Sequence, residues 1–164
     1  MKNKISINLE VSLVEIIFSI LIFAIAGAII LYCFAAARLT QIKANDKVEA
    51  GNLIQSNVEI IKYFESSVEM DEYLFNNFKH QKVNGENIYI NYFDKEWNLC
   101  DEKSKEYLIT VKVNDASSKS GVIKEIVIIA EREKSYPFID NNNEQNYIYE
   151  IKTKKFFPNN EGRW

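Results

Sequence analysis

The chain has 164 residues, a net charge of -3, and is 47% hydrophobic and 26% charged, averages that exclude a disordered or collagen-like chain. Two cysteines are too few for a disulfide scaffold or a cysteine zinc site, and no overall basicity draws the chain to nucleic acid. The averages conceal an uneven distribution: residues 16–37 carry no charge, and nearly all acids and bases follow them.

Residues 16–37 make about 33 Å of helix at ~1.5 Å per residue, enough to cross a hydrocarbon core of about 30 Å. Lipid demands that every backbone group be satisfied within the segment, which favours helix. A secretory signal peptide competes with this reading. Its apolar core runs about 7–15 residues and ends at small residues, which Ala35, Ala36 and Ala37 imitate. Lys2 and Lys4 flank one side, and Arg38, Lys43 and Lys47 the other, so charge alone leaves orientation open. Glu15 lies inside the apolar stretch that begins at Val11. An ionised carboxylate in lipid costs at least about 2.5 kcal/mol, so it needs a partner there. At headgroup level it would instead be hydrated, near a helix N-terminus that favours an anion. Cys33 lies in the apolar run and Cys100 far outside it, so no internal disulfide is expected.

Val-Ser-Leu-Val-Glu at 11–15, followed by Ile-Ile-Phe-Ser-Ile-Leu-Ile-Phe-Ala-Ile, resembles the prepilin signature of type IV pilins and pseudopilins. In that family a basic leader ends in Gly, and a membrane peptidase cuts after it and methylates the new N-terminus. The resemblance implies a processing site at Glu10 and Val11, with Val11 the first mature residue. It implies that Glu15 is the assembly glutamate, paired with a neighbouring subunit's free amine. Two opposite charges, each costly alone in low dielectric, compensate when paired. Glu10 stands where the family has Gly and adds bulk and charge where Gly permits close approach. Inefficient cutting, cutting elsewhere and an uncut chain all stay open.

Beyond Arg38 the apolar residues Leu39, Ile42, Leu53, Ile54, Val58, Ile61, Phe64 and Val68 recur mostly at helical spacing. They predict one helix from about 11 to 68. Residues 87–93 alternate, with Ile88, Ile90 and Tyr92 on one face. Residues 107–113 place Ile109, Val111 and Val113 inward, and the almost wholly apolar residues 122–130 read as a strand buried on both faces. Residues 114–121 read as the loop between these two, and Tyr147, Tyr149, Ile151 and Thr153 mark a fourth strand. Residues 135–146 read as a loop. Helix first and strands later predict an α+β fold. As in pilins, a long helix whose first half spans the membrane would pack on a small antiparallel sheet. The expected divisions are a leader at 1–10, a transmembrane half-helix at 11–37, an amphipathic half at 38–70 and a sheet head at 71–164.

Little here points to a reaction. His80 is the only histidine, so a Ser-His-Asp or Cys-His site must use it, yet its polar surroundings read as a loop. No phosphate-binding glycine motif occurs. Asp140, Asn142 and Glu144 alternate as calcium ligands do, but Gln145 and Ile151 stand where an EF-hand loop needs Gly and Glu. Asp94, Glu96, Asp101 and Glu102 cluster around Trp97, and turn chemistry and solvated charge explain both groups. Lys152, Lys154 and Lys155 read as a solvated strand edge. No catalytic residue, metal or cofactor is expected.

By resemblance the chain is a structural minor pilin or pseudopilin of a type IV pilus, a type II secretion-like filament or a competence filament. Its partners would be other pilin or pseudopilin subunits, a prepilin peptidase, an assembly platform protein and ATPase, and membrane lipid, with DNA only in a competence filament. It would sit in the cytoplasmic membrane, N-terminus inside and head outside, before joining a periplasmic or extracellular filament. The rival is a single-pass, membrane-anchored extracytoplasmic binding module that never polymerises. A membrane-tethered enzyme using His80 or the acidic clusters is a third reading.

Overall fold

The computed structural model describes residues 9–83, 86–118, 120–136 and 146–158. Among the described residues, two α-helices are present, α1 (Leu9–Tyr63) and α2 (Ser67–Asn77). Five strands follow: β1 (Lys79–Val83), β2 (Glu86–Phe93), β3 (Tyr107–Ser118), β4 (Gly121–Arg132) and β5 (Tyr147–Pro158). The fold is α+β, with the strands in one antiparallel sheet of order β1-β2-β3-β4-β5.

The chain divides into two compact units, Met1–Ile42 and Lys43–Trp164. In the first, the described residues are all helix. Its apolar side chains are exposed on every side: Ile16, Ile17, Phe18, Ile20, Leu21, Ile22 and Phe23 are at least half exposed, and Phe23 is 80% exposed. Successive helical residues turn through about 100°, so this run leaves no polar face. The stretch is long and apolar enough to cross a membrane.

In the second unit, α1 buries Asp46, Ala50, Ile54, Val58 and Ile61, spaced by four, four, four and three residues. This stripe lies on one face of the sheet with Met70 and Leu74 of α2. The sheet contributes Tyr89 and Phe93 of β2, Ile109, Val111 and Val113 of β3, and Ile126, Ile128 and Ala130 of β4. Register aligns them in rows, with Ile109 opposite Ala130, Val111 opposite Ile128 and Val113 opposite Ile126. Burying each of these isoleucine and valine side chains contributes about 1.5–3 kcal/mol.

Several expectations are corrected. The helix ends at Tyr63 rather than near 68, and a second helix begins at Ser67 where the sheet region was expected within a few residues. The side chain of Ser66 caps α2 by accepting from the Val68 amide at 3.2 Å, and Glu69 sits three residues after the cap. Val68, expected on the buried stripe, is 63% exposed. In β2, Ile88, Ile90 and Tyr92 do share a face, but the helices cover the opposite face, where Tyr89 and Phe93 point. Residues 114–118 and 121 are strand rather than loop: β3 and β4 stay paired out to Ser118 and Gly121. The β4 strand is buried on one face only, since Ile123, Val127 and Ile129 are half-buried on the uncovered side. His80 lies in β1, not a loop. Only parts of the expected 135–146 loop are described, and Asp140, Asn142 and Glu144 lie outside the described residues.

Candidate functional site

Glu15 is the acid of the apolar helix, and it is exposed. Its backbone carbonyl accepts the Ser19 hydroxyl at 2.8 Å. Among the described residues, no group pairs with its carboxylate. The backbone at Glu10 and Val11 is helical, as α1 starts at Leu9; their side chains lie outside the description.

The second unit holds three polar clusters that fix its helices to the sheet. Asp46, 5% exposed, interrupts the apolar stripe of α1. Its carboxylate accepts the Tyr107 hydroxyl at 2.9 Å and the Tyr136 hydroxyl at 2.6 Å. Burial pushes both phenols well above their usual range, and the adjacent carboxylate adds to the effect. The Arg132 guanidinium lies 4.8 Å from the Tyr136 ring centre and donates to Glu106 Oε1 at 2.7 Å. Its buried Nε has no partner among the described residues.

Lys124 of β4 is 4% exposed and pairs with Asp71 of α2 at 2.7 Å and Asp115 of β3 at 2.9 Å. Burial pulls this ammonium's pKa down, but the two carboxylates outweigh it and the net shift is upward. Lys155 of β5 donates to the carbonyls of Ile61, at 3.1 Å, Lys62, at 2.5 Å, and Phe64. These are the open carbonyls at the end of α1, so the lysine closes the helix C-terminus with a positive charge. Burial pushes its amine pKa down. Lys155 therefore leaves the expected solvated trio, while Lys152 and Lys154 stay exposed and pair with Glu150 and Glu125.

The acidic group around Trp97 is a turn. Asp94 Oδ1 accepts the amides of Glu96 and Asn98, both at 2.9 Å. The Asn98 amide bond, with that of Glu96, holds the Asp94 carboxyl below its usual range. Trp97 adopts a φ of 62° and stacks on Tyr107 at 4.1 Å. Among the described residues, no three His, Cys, Asp or Glu side chains gather as metal ligands. His80 packs between the rings of Phe75 and Tyr89 at 5.7 and 5.0 Å, and its Nε2 lies 3.3 Å from Asn87 Oδ1. Cys33 and Cys100 are both free thiols.

A groove of about 660 Å³ runs between α1 and β5, bordered by Lys47, Val48, Gly51, Val58, Lys62, Tyr149 and Ile151 among others. Sequence reading missed this groove and the Asp46 and Lys124 clusters. A signal for each cluster was present: Asp46 sits four residues before Ala50 on the stripe, and Lys124 is a charge inside an apolar strand.

No family model matches the chain, and no curated protein or solved structure matches it.

Proposed function

We propose that the chain is a structural filament subunit, a minor pilin or pseudopilin, whose apolar helix serves first as a membrane span and later as the packing element of a filament. The observation that carries this reading is Glu15, an exposed acid with no partner among the described residues, at the head of a helix that is apolar on every side. A simple anchor gains nothing from a carboxylate there. A subunit that packs its helix against copies or relatives gains a register-fixing pair, because an amine from a neighbour satisfies the acid where water is excluded. The prepilin-like residues 11–15 and the helix-on-sheet layout of the head support the same reading.

On this reading the N-terminus faces the cytoplasm and the head lies outside. The partners are other pilin-like subunits, a prepilin peptidase and an assembly platform with its ATPase. DNA is a partner only in a competence filament. Processing falls between Glu10 and Val11, and mass spectrometry of the native N-terminus tests it, since a chain that starts at Met1 has not been cut.

The deciding experiment is Glu15→Ala in the producing cell. The variant stays in the membrane fraction but is depleted at least tenfold from sheared filaments. Normal incorporation sinks the filament reading and leaves the single-pass, membrane-anchored binding module.

A further inference from the structure

We propose that the groove between α1 and β5 binds an extended acidic segment of a partner protein, added to the sheet as a strand along β5. β5 is an edge strand and, among the described residues, pairs only with β4. An unpaired edge presents main-chain N–H and C=O groups, the template for strand addition. The groove beside it has an apolar floor of Val58, Ile151 and Tyr149, and Val48 on its wall is 59% exposed. At Gly51 an added Cβ would meet nothing within 4 Å, so the helix wall is open there. From Lys47 to Lys62 the helix rises about 22 Å at 1.5 Å per residue, the length of six to seven strand residues at ~3.3 Å.

Charge selects the occupant. Lys47, Lys62 and Lys152 border the groove against the single carboxylate of Glu59. Among the described residues, both edge strands of the sheet carry lysines. β1 reads KHQKV with no acid, and β5 carries Lys152 and Lys154, paired within the chain to Glu150 and Glu125, and Lys155, held at the end of α1. Pairing β5 with either edge of a second copy sets lysines beside lysines, which destabilises a strand pair. A partner strand that alternates acids with β-branched residues satisfies the edge, the floor and the rim together. A nucleic acid strand offers no ladder to an edge strand. The inference involves neither Glu15 nor polymerisation, so it stands or falls separately from the filament reading.

The test uses the full chain in detergent micelles and a fluorescent eight-residue peptide alternating valine and glutamate. The peptide binds, slows hydrogen exchange across residues 147–158, and is not displaced by octaglutamate, by a valine–lysine counterpart or by single-stranded oligothymidylate. Lys47→Glu combined with Lys62→Glu weakens binding at least tenfold. Gly51→Phe, which fills the open wall, abolishes binding while the melting temperature is kept. Any of four results overturns the proposal: no binding, binding indifferent to both variants, octaglutamate or oligothymidylate binding equally well, or self-association of the chain through these edges.

Discussion

The Tyr136 hydroxyl donates to Asp46 Oδ2 across 2.6 Å, tying the segment after β4 to α1 over a separation of 90 residues. The Tyr107 hydroxyl fills the other oxygen of the same carboxylate. Asp46→Ala leaves two buried phenols with no acceptor, and each loss costs about 1–3 kcal/mol. Asp46→Asn keeps one carbonyl acceptor and costs less. Trp97, stacked on Tyr107, reports unfolding in urea by its fluorescence. An Asp46→Ala midpoint equal to wild type would show that the network contributes nothing.

The same network makes the head labile in alkali. Tyr107 and Tyr136 have phenol pKa values raised above the ordinary 10.0 by burial and by Asp46. Above pH 10 the unfolded phenols lose protons that the folded ones keep, so the unfolded state binds fewer protons and stability falls as pH rises. The stabilisation is complete below pH 10 and is lost progressively through the raised folded values. Tyr136→Phe removes one of the two groups. Its unfolding free energy therefore declines less steeply between pH 9.5 and 11.5 than that of wild type. Lys124 is raised too, but it is common to both chains and cancels in the comparison. Equal slopes would refute the assignment.

Legibility in the sequence followed periodicity. The apolar run around residues 16–37 and the stripe through Ile54, Val58 and Ile61 announce helix because their spacing alone decides the outcome. The alternation in β3 and β5 announces strands in the same way. Which face of β2 turns inward was not legible, because both of its faces carry large apolar residues and only packing against the helices selects Tyr89 and Phe93. The carbonyls left open at the end of α1 are met by Lys155, over 90 positions away, and local spacing carries no trace of that contact. The Ser66 cap was written in the sequence as Ser-Ser-Val-Glu, yet the apolar stripe continuing through Phe64 and Val68 masked it. β1 has no apolar alternation to read, since it is a polar edge strand whose register comes from β2. The groove is a product of packing between α1 and β5, so no local pattern encodes it.

Lys155 is the point at which that long-range contact can be measured. Lys155→Met keeps the aliphatic stem but removes the donor to the carbonyls of Ile61, Lys62 and Phe64. Open carbonyls at the end of α1 then turn to water, and the last helical turn frays. Amide hydrogen exchange at residues 58–63 accelerates at least tenfold, while exchange in β3 is unchanged below the global unfolding limit. A melting-temperature loss with no local acceleration would mean that Lys155 acts through general packing instead of capping.

Gly121 tests how tightly the β3–β4 hairpin sits against β5. A Cβ at this position would lie 2.1 Å from the Phe157 carbonyl oxygen and 2.8 Å from the Phe156 ring. The ring can rotate away, but the carbonyl belongs to the strand paired with Gly121, since Gly121 lies opposite Pro158 and Val122 opposite Phe157. Relief therefore requires the end of β5 to move, at about 1–3 kcal/mol for an overpacked site. Gly121→Ala lowers the urea midpoint accordingly and speeds exchange in residues 155–158. Because Lys155 lies on that same strand end, the shift also loosens the α1 cap, and Gly121→Ala combined with Lys155→Met destabilises by less than the sum of the two. Strict additivity would show that β5 accommodates the methyl group without disturbing the lysine.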